Sequence, residues 1–459
     1  MKTGIIKPRT LSGFMELLPK EQLIFDRIRD TLSTVYRQYG FLPLDTPILE
    51  HSEILLAKAG GETEKQIYRF SKGDTDLTMR FDLTVPLAKY VAKNYSALSF
   101  PFRRYQIGKV YRGERAQKGR FREFYQSDID IIGDGSLALM NDAEIPSIIY
   151  DIFNRLGLTD FTIRINNRKV LTGFFSMLNL DDKAEDIMRI VDKLEKIGQD
   201  AVAKELQDIG ISEEDCEKIL TFISFKGTNE ETIAFLNHLK AQNDVFNLGV
   251  EELTFVTNAI QAYQVPEANL QIDLTIARGL DYYTGTVYET CFNKHPEIGS
   301  ICSGGRYENL AGYYTDKQLP GVGISIGLTR LFYILNEREY LRQDTLAPAD
   351  VLVIPMTDDV APSIRISNAF RKAGISTQIY FEQKKFKAKI GYADKLSIPF
   401  AIFLGEDELS EQKVALKNLS TGEQQILSLE DAIQVVTSSL SEKENQSIID
   451  TELTSRSSL

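Results

Sequence analysis

Residues Tyr105–Gly133 read YQIGKVYRGERAQKGRFREFYQSDIDIIG. Apolar and polar residues alternate from Ile107 to Tyr111 and again from Phe121 to Ile132, the period of two that is typical of β-strands. A polar segment that contains glycine separates the two runs. The stretch therefore predicts a long antiparallel hairpin with charged residues near its bend.

Four arginines in this hairpin indicate what it could bind. They are Arg112, Arg115, Arg120 and Arg122. A guanidinium group recognises phosphate or carboxylate through paired hydrogen bonds. The arginines are compatible with a polyanion held against a sheet, and equally with a charged hairpin that only faces solvent.

The composition limits the class of protein. A chain of 459 residues, 43% of them hydrophobic, has room for two or three domains with substantial cores. No apolar run is long enough for a membrane span, and the N-terminus lacks the apolar core of a signal peptide. The spacing of Cys216, Cys291 and Cys302 suits neither disulfides nor structural zinc. We therefore expect a cytoplasmic protein without a membrane partner, and the net charge of −12 argues weakly against nonspecific nucleic-acid binding.

The hydrophobic pattern divides the rest of the chain. Pro19–Tyr39 has helical periodicity, and the strand-like FLPLDTPILE that follows contains Pro47. A hairpin with its turn at Lys72–Asp76 leads into a helix. Residues 170–263 are strongly helical, and strands return with IDLTIAR and TVYETCF, on either side of residues 278–285.

From residue 351 onward, strands and helices alternate with short loops, which predicts a small α/β domain with a mostly parallel sheet. We expect an α+β domain at 1–340, built on a mostly antiparallel sheet with a helical insertion at about 170–263. The α/β domain is expected at 347–440. The polar tail, 441–459, is expected to be disordered.

Three segments together resemble the class II aminoacyl-tRNA synthetases. Arg112-x-Glu114, a loop and Arg-Phe-Arg-Glu-Phe at 120–124 resemble motif 2. The first helix and the proline-containing strand are similar to motif 1, and LPGVGISIGLTRLFYILNE at 319–337 is similar to motif 3. The resemblance implies that Arg112 holds the α-phosphate of ATP and that motif 1 forms a homodimer interface.

Two further peptides narrow the resemblance to one family. ARGLDYYTG at 277–285 and SGGRY at 303–307 resemble the signature peptides of the histidyl-tRNA synthetases. The C-terminal stretches around KKFKAKIGYADKL resemble the anticodon-binding domain of that family. The resemblance runs from about Leu11 to Leu440. It implies a histidine–tRNA ligase that uses ATP with Mg²⁺, L-histidine and tRNA(His).

The family's site residues are carried over position by position. The implied catalytic residues are Arg112 and Arg278. The implied histidine-binding residues are Asp82, Leu83, Thr84, Gln126, Asp130, Tyr282, Tyr283 and Tyr307. The implied ATP-binding residues are Arg112, Glu114, Arg120, Phe124, Arg278 and Arg330. The resemblance implies no dedicated metal site on the protein.

Ordinary structural roles compete with these assignments. Helix capping would explain Asp82 and Thr84. Core packing would explain Tyr282 and Tyr283, and a surface ion pair would explain Arg278. The N-terminal peptide at 12–16 also lacks the basic residue that many members of the family carry.

Two other functions compete with the ligase. One is the synthetase-like regulatory subunit of ATP phosphoribosyltransferase, and the other is a pseudo-synthetase that senses uncharged tRNA. The first usually lacks the C-terminal domain, and both would have lost ATP-binding arginines. Because Arg112, Glu114, Arg278 and Arg330 are all present, the sequence favours the enzyme.

Overall fold

The computed structural model describes residues 6–57, 65–115, 119–239, 243–277, 283–342, 347–444 and 449, without the side chains of 442–444. The chain forms two compact units. The first contains the residues up to Glu16 and Arg29–Arg338, and the second contains Leu17–Ile28 and Glu339–Leu453.

The strands of the first unit form an eight-stranded sheet and a three-stranded sheet. In chain order they are β1 (Leu42–Pro43), β2 (Leu49–His51), β3 (Arg69–Lys72), β4 (Thr75–Met79), β5 (Phe102–Tyr111), β6 (Glu123–Ile132), β7 (Phe161–Asn167), β8 (Leu270–Ile272), β9 (Tyr283–Phe292), β10 (Cys302–Tyr307) and β11 (Gly321–Ile326). The large sheet has the order β1-β5-β6-β11-β10-β9-β7-β8, and the small one β2-β4-β3.

The large sheet is mixed. Its inner pairs are antiparallel, as expected, but the end pairs β1–β5 and β7–β8 are parallel. The expectation of a mostly antiparallel sheet is therefore correct for the inner strand pairs, and the pairs at the two edges differ from it.

The predicted hairpin is the centre of this sheet. β5 and β6 pair from Phe102 opposite Ile132 to Tyr111 opposite Glu123. Ile129 and Ile131 are fully buried on one face, and alternation sends Asp130 to the other. The hairpin thus builds an apolar face for the core and a polar face for a site.

The helix Met140–Arg155 packs on the apolar face of this sheet. In chain order the helices are α1 (Pro19–Gln38), α2 (Ser52–Leu56), α3 (Thr84–Asn94), α4 (Met140–Arg155), α5 (Arg168–Met177), α6 (Ala184–Val191), α7 (Leu194–Ile197), α8 (Gln199–Asp208), α9 (Glu213–Ile223), α10 (Asn229–His238), α11 (Asp244–Ala262), α12 (Leu328–Glu337), α13 (Ala361–Lys372), α14 (Phe386–Lys395), α15 (Glu406–Ser410) and α16 (Leu429–Glu444). Tyr288 of β9 donates a hydrogen bond to the carbonyl of Asp142 in α4, 2.7 Å away. The buried Asp142 carboxylate pairs with Arg306 of β10 at 2.5 Å. Paired charges of this kind fix α4 on the sheet, because either charge alone would be costly to bury.

Two predicted strands are shorter than the sequence suggested. Among the described residues of IDLTIAR, only the first, Ile272, lies in a strand, where it ends β8 (Leu270–Ile272). The Asp273 carboxylate accepts hydrogen bonds from the backbone N–H and hydroxyl of Thr275 and so forms a turn. Pro47, expected inside a strand, lies between β1 and β2. Proline lacks the N–H that a continuous ladder would need.

The second unit contains a five-stranded sheet of order β13-β12-β14-β15-β16. Its strands are β12 (Val351–Pro355), β13 (Thr377–Ile379), β14 (Phe400–Leu404), β15 (Val414–Asn418) and β16 (Gln424–Leu427). The pairs formed by β12 are parallel, but the pairs formed by β15 are antiparallel. The prediction of a mostly parallel sheet is therefore wrong for half of the pairings.

The part of that sheet that differs from the prediction is a hairpin. The Asn418 side chain accepts hydrogen bonds from the backbone N–H groups of Ser420 and Thr421, which turns the chain from β15 into β16. Helix α16 reaches Glu444, so the first residues of the expected disordered tail are helical. Among the described helices, none has both the length and the apolar character that a bilayer crossing requires.

Candidate active site

The strand register collects polar residues on one face of the large sheet. Arg104 of β5 lies opposite Asp130 of β6, and Gly108 lies opposite Gln126. On the other side of β6, Gly323 of β11 lies opposite Asp130. Because alternate residues of a strand share a face, Phe124, Gln126, Asp128 and Asp130 of β6 all lie on this side.

Asp130 is held by two donors. The Tyr307 hydroxyl donates to Oδ1 of Asp130 at 3.0 Å, and Nη2 of Arg104 lies 2.6 Å from Oδ2. All three side chains are buried. Burial raises the pKa of Asp130, and Arg104 and Tyr307 oppose that rise. The Arg104 charge favours the carboxylate form of Asp130, which can only accept hydrogen bonds and therefore suits a ligand that donates.

Asp128 is a second buried acid beside this group. Burial raises its pKa to about 7, against the attraction of Arg104, and the carboxylates of Asp130 and Asp82 add to the rise. Gln126 donates from Nε2 to the Ser325 hydroxyl at 2.9 Å.

Several buried polar atoms here have no hydrogen-bond partner in the described structure. They are Nε and Nη1 of Arg104, Oε1 of Gln126 and Oδ1 of Asp128. Most buried polar atoms in proteins are hydrogen-bonded, so a group of exceptions on one face is typical of a binding site.

The junction between β4 and α3 adds Asp82. Its carboxylate accepts a hydrogen bond from the backbone N–H of Val85 at 3.0 Å and thereby caps the first turn of α3. Burial raises the pKa of Asp82, while Val85 and the charge of Arg112 lower it. The expected capping role is present, and Arg112 donates a hydrogen bond to the carbonyl of Phe81, the residue before Asp82. Leu83 is fully buried, and Thr84 begins α3.

The bend of the hairpin carries the residues assigned to ATP. Arg112 donates from Nε to the Phe81 carbonyl at 3.1 Å, and its guanidinium carbon lies 5.1 Å from the centre of the Phe124 ring. Arg120 lies 3.7 Å from the Glu114 carboxylate. The Arg112–Phe124 pair leaves a planar cation and an aromatic ring side by side, groups suited to a phosphate and a purine base.

The remaining assigned residues lie on other elements. Arg330 is in the first turn of α12 and donates to the Ile298 carbonyl. Tyr283 begins β9 and lies opposite Tyr307. Arg278 and Tyr282 lie outside the described residues.

Sequence reasoning missed Arg104 and Asp128. Both belong to the hairpin, where the alternation of the strand predicts that a charged residue on the polar face is exposed to solvent. The register between β5 and β6 and the cover over that face bury them. Their charge within strands that are otherwise rich in apolar residues is the one signal that the sequence offers.

Comparisons with known proteins identify the family of the chain. A family model described as histidyl-tRNA synthetase matches residues 13–331, and one described as anticodon binding domain matches 350–439. The chain is 58% identical over 437 residues to a histidine–tRNA ligase of Clostridium tetani, covering 95% of this chain and 99% of the relative.

Solved structures give the same result. A histidyl-tRNA synthetase from Nostoc sp. PCC 7120 has a TM-score of 0.89 and 42% identity, covering 95% of this chain and 100% of that one. A Bacillus halodurans protein described as an ATP phosphoribosyltransferase regulatory subunit/histidyl-tRNA synthetase has a TM-score of 0.70 at 21% identity, covering 84% of this chain and 97% of that one; it shows the fold alone. With a matching family model over most of its length and close relatives along nearly all of it, the chain belongs to the histidyl-tRNA synthetase family.

Proposed function

We propose that this chain activates L-histidine with ATP to histidyl-adenylate and then transfers the histidyl group to the 3′ end of tRNA(His). The observation that carries the proposal is the single polar face on β6. There, the buried acceptor Asp130 and the aromatic Phe124 lie on one strand, with Arg112 beside Phe124. A site for an imidazole and a site for a nucleotide are thus parts of one surface.

The histidine half of the site would use the acids and the tyrosine hydroxyl. Asp130, oriented by Tyr307, suits a ring N–H of the substrate. Asp82 and Gln126 suit its ammonium group, and Thr84, Leu83 and Tyr283 would line the pocket beside them. A pocket of such groups can reject isosteres that leave its polar atoms unpaired. Tyr282 is assigned to the same pocket from the resemblance to the family.

The ATP half would use the arginines. Arg112 would hold the α-phosphate, Glu114 and Phe124 the adenine, and Arg120 and Arg330 the outer phosphates. Adenylation needs no dedicated base, because the histidine carboxylate is already ionised. It needs stabilisation of the charge that builds at phosphorus, which fixed guanidinium groups supply without reorganising. Mg²⁺ would arrive with ATP, since this ion is usually bound through substrate phosphates.

The two units would divide the work. Residues 1–340 form the proposed catalytic domain, with the helices at about 170–263 as its insertion, and 347–440 form the proposed anticodon-binding domain. Helix α14 and the residues before it carry five lysines between Lys384 and Lys395, and its Phe386 is exposed. Cationic and aromatic side chains together suit RNA phosphates and unpaired bases.

The small sheet of the first unit supports a homodimer. Leu49, Phe70, Leu77 and Met79 share one face of it by register. Leu49 and Phe70 are 43% and 44% exposed, while Thr78 on the opposite face is fully buried. A second copy of the chain is the proposed cover for this apolar face.

Histidine-dependent exchange of pyrophosphate into ATP is the decisive assay. The ligase should show it, whereas a regulatory subunit or a sensor of uncharged tRNA should not. Arg278→Ala should reduce adenylate formation by roughly two to three decades, by analogy with removal of one oxyanion donor, about 3–4 kcal/mol of barrier. Arg278→Lys should rescue poorly, because an ammonium lacks the planar fork of guanidinium. A folded Arg278→Ala protein with a near wild-type rate would refute the assignment of Arg278.

A further inference from the structure

Arg104 is the largest side chain that is fully buried among the described residues, and it lies directly beneath the proposed histidine pocket. Only one of its three nitrogens has a described partner. Nη2 pairs with Asp130 at 2.6 Å and reaches the Leu83 carbonyl at 3.4 Å. Nε and Nη1 have none. An arginine without exposure and with two unpaired nitrogens is costly to fold, so a purely structural role explains it poorly.

The charges around Asp130 define what Arg104 does there. Among the described residues, four groups act on this carboxylate: Arg104 from β5, Tyr307 from β10, Asp82 just before α3, and Asp128 from its own strand. Arg104 is the one cation in that set. Without it, burial and two neighbouring carboxylates would all favour a protonated Asp130.

We propose, resting on the function proposed above, that Arg104 is a positioning residue of the histidine pocket: its ion pair holds the Asp130 carboxylate in place as a hydrogen-bond acceptor, so that the pocket selects a side chain with a ring N–H. The two oxygens of Asp130 each already accept one hydrogen bond, from Tyr307 and from Arg104. Each keeps a lone pair, and an ionised carboxylate has no proton to donate. A ring nitrogen that can only accept therefore finds no partner at Asp130.

Loss of Arg104 should weaken this preference. A protonated Asp130 carries an O–H and can donate to an acceptor nitrogen. The matched substrate pair is L-histidine and 2-thiazolylalanine, whose ring nitrogen accepts but carries no hydrogen. The measured quantity is the ratio of kcat/KM for the two in pyrophosphate exchange.

In Arg104→Met this ratio should fall at least about tenfold, since much of the discrimination of a polar pocket comes from groups left unpaired by the wrong ligand. The acid limb of kcat/KM for histidine should also move to higher pH, because Asp130 then needs a higher pH to ionise. KM for ATP should change little. Arg104→Lys, which keeps the charge, should retain most of the wild-type ratio.

Arg103→Gln is the control on the same strand. Arg103 lies on the opposite face and pairs with Glu144 at 2.8 Å, so its loss should lower the melting temperature without changing the ratio or the pH profile. If Arg104→Met does not fold, Arg104→Gln, which keeps N–H donors without the charge, replaces it under the same criterion.

If folded Arg104→Met or Arg104→Gln had a ratio within about twofold of wild type and an unmoved acid limb, the proposal would be overturned, since the pocket would then discriminate without this cation. Absence of histidine-dependent exchange in the wild-type protein would instead refute the proposed function.

Discussion

At the scale of single residues, Asp128 predicts an unusual dependence of stability on pH. Its pKa is raised to about 7 by burial, opposed by Arg104 and increased by its acidic neighbours. The charged groups and titratable hydroxyl and thiol near it are Arg104, Asp130, Asp82, Tyr36 and Cys302. An acid with a raised pKa in the folded state stabilises that state fully below its unfolded pKa. This contribution to the stability of the folded state is lost as the pH rises toward about 7.

Asp128→Asn should remove the fall in stability that ionisation of Asp128 causes, because an amide of the same shape carries no charge. The variant should gain about 3 kcal/mol of stability relative to wild type as the pH rises from about 5 to about 8, because about two pH units lie between pH 5 and the folded pKa of about 7. Urea unfolding at both pH values measures it. Asp134→Asn, which removes an exposed carboxylate, is the control. A difference between variant and wild type that is equal at both pH values would contradict the prediction.

The residues also show how far sequence reasoning reaches. The resemblance to the family assigns Asp130 and Tyr307 to one pocket although they are far apart in the chain, and the structure places the Tyr307 hydroxyl 3.0 Å from Oδ1 of Asp130. Arg104 cannot be assigned in this way, because none of the motifs contains it. Arg104 is buried because β5 pairs with β6 and because the chain around Leu83 covers it. Neither contact can be predicted from the local sequence.

At the scale of elements, the glycines of β11 leave the space that the Asp130 and Tyr307 side chains occupy in the proposed pocket. A Cβ on Gly323 would lie 2.3 Å from Oδ1 of Asp130 and 2.4 Å from the Ile129 carbonyl. A Cβ on Gly321 would lie 2.4 Å from the Tyr307 ring. The GVG sequence therefore provides the space in which Asp130 and Tyr307 meet.

Gly323→Ala should displace Asp130 and raise KM for histidine more than KM for ATP, with a loss of about 1–3 kcal/mol in stability from overpacking. Gly321→Ala should act in the same direction through Tyr307. Ile324→Val, whose side chain is on the opposite face, should cost about 0.5–1.5 kcal/mol without changing either KM. The readouts are pyrophosphate exchange and chemical unfolding. An unchanged KM for histidine in a folded Gly323→Ala protein would show that β11 does not set the pocket.

Elements with strong local signals can be predicted from the sequence, and those that depend on side-chain turns cannot. The alternation in β5 and β6 predicts the hairpin correctly. The alternation of IDLTIAR does not continue as a strand after Ile272, because the Asp273 carboxylate bonds the Thr275 backbone in place of a neighbouring strand. The same competition at Asn418 produces the antiparallel hairpin of the second unit, where the sequence predicts a mostly parallel sheet.

At the scale of the whole molecule, the apolar face of the small sheet predicts self-association. Leu49→Asp combined with Phe70→Asp should convert a dimer into a monomer, since two charges would have to be buried. Sedimentation at micromolar concentration measures the change. Leu248→Asp, a substitution of a similarly exposed residue on α11, should leave the dimer intact. A wild-type protein that is monomeric and still fully active would contradict a functional dimer.

The division of labour between the two units gives the last prediction. Lys384, Lys385 and Lys387 are exposed on the second unit, and their replacement by Gln should weaken tRNA binding without touching amino-acid activation. KM for tRNA(His) in aminoacylation should rise. The slope of its logarithm against the logarithm of salt concentration should fall by about one for each phosphate that the variant no longer neutralises. Histidine-dependent pyrophosphate exchange should be unchanged, because it needs no tRNA. Lys413→Gln with Lys417→Gln, the same chemical change on β15 and its flank, should leave both activities near wild type. If the triple variant reduced both activities equally, the lysines would stabilise the enzyme as a whole, and the assignment of this surface to the tRNA would be wrong.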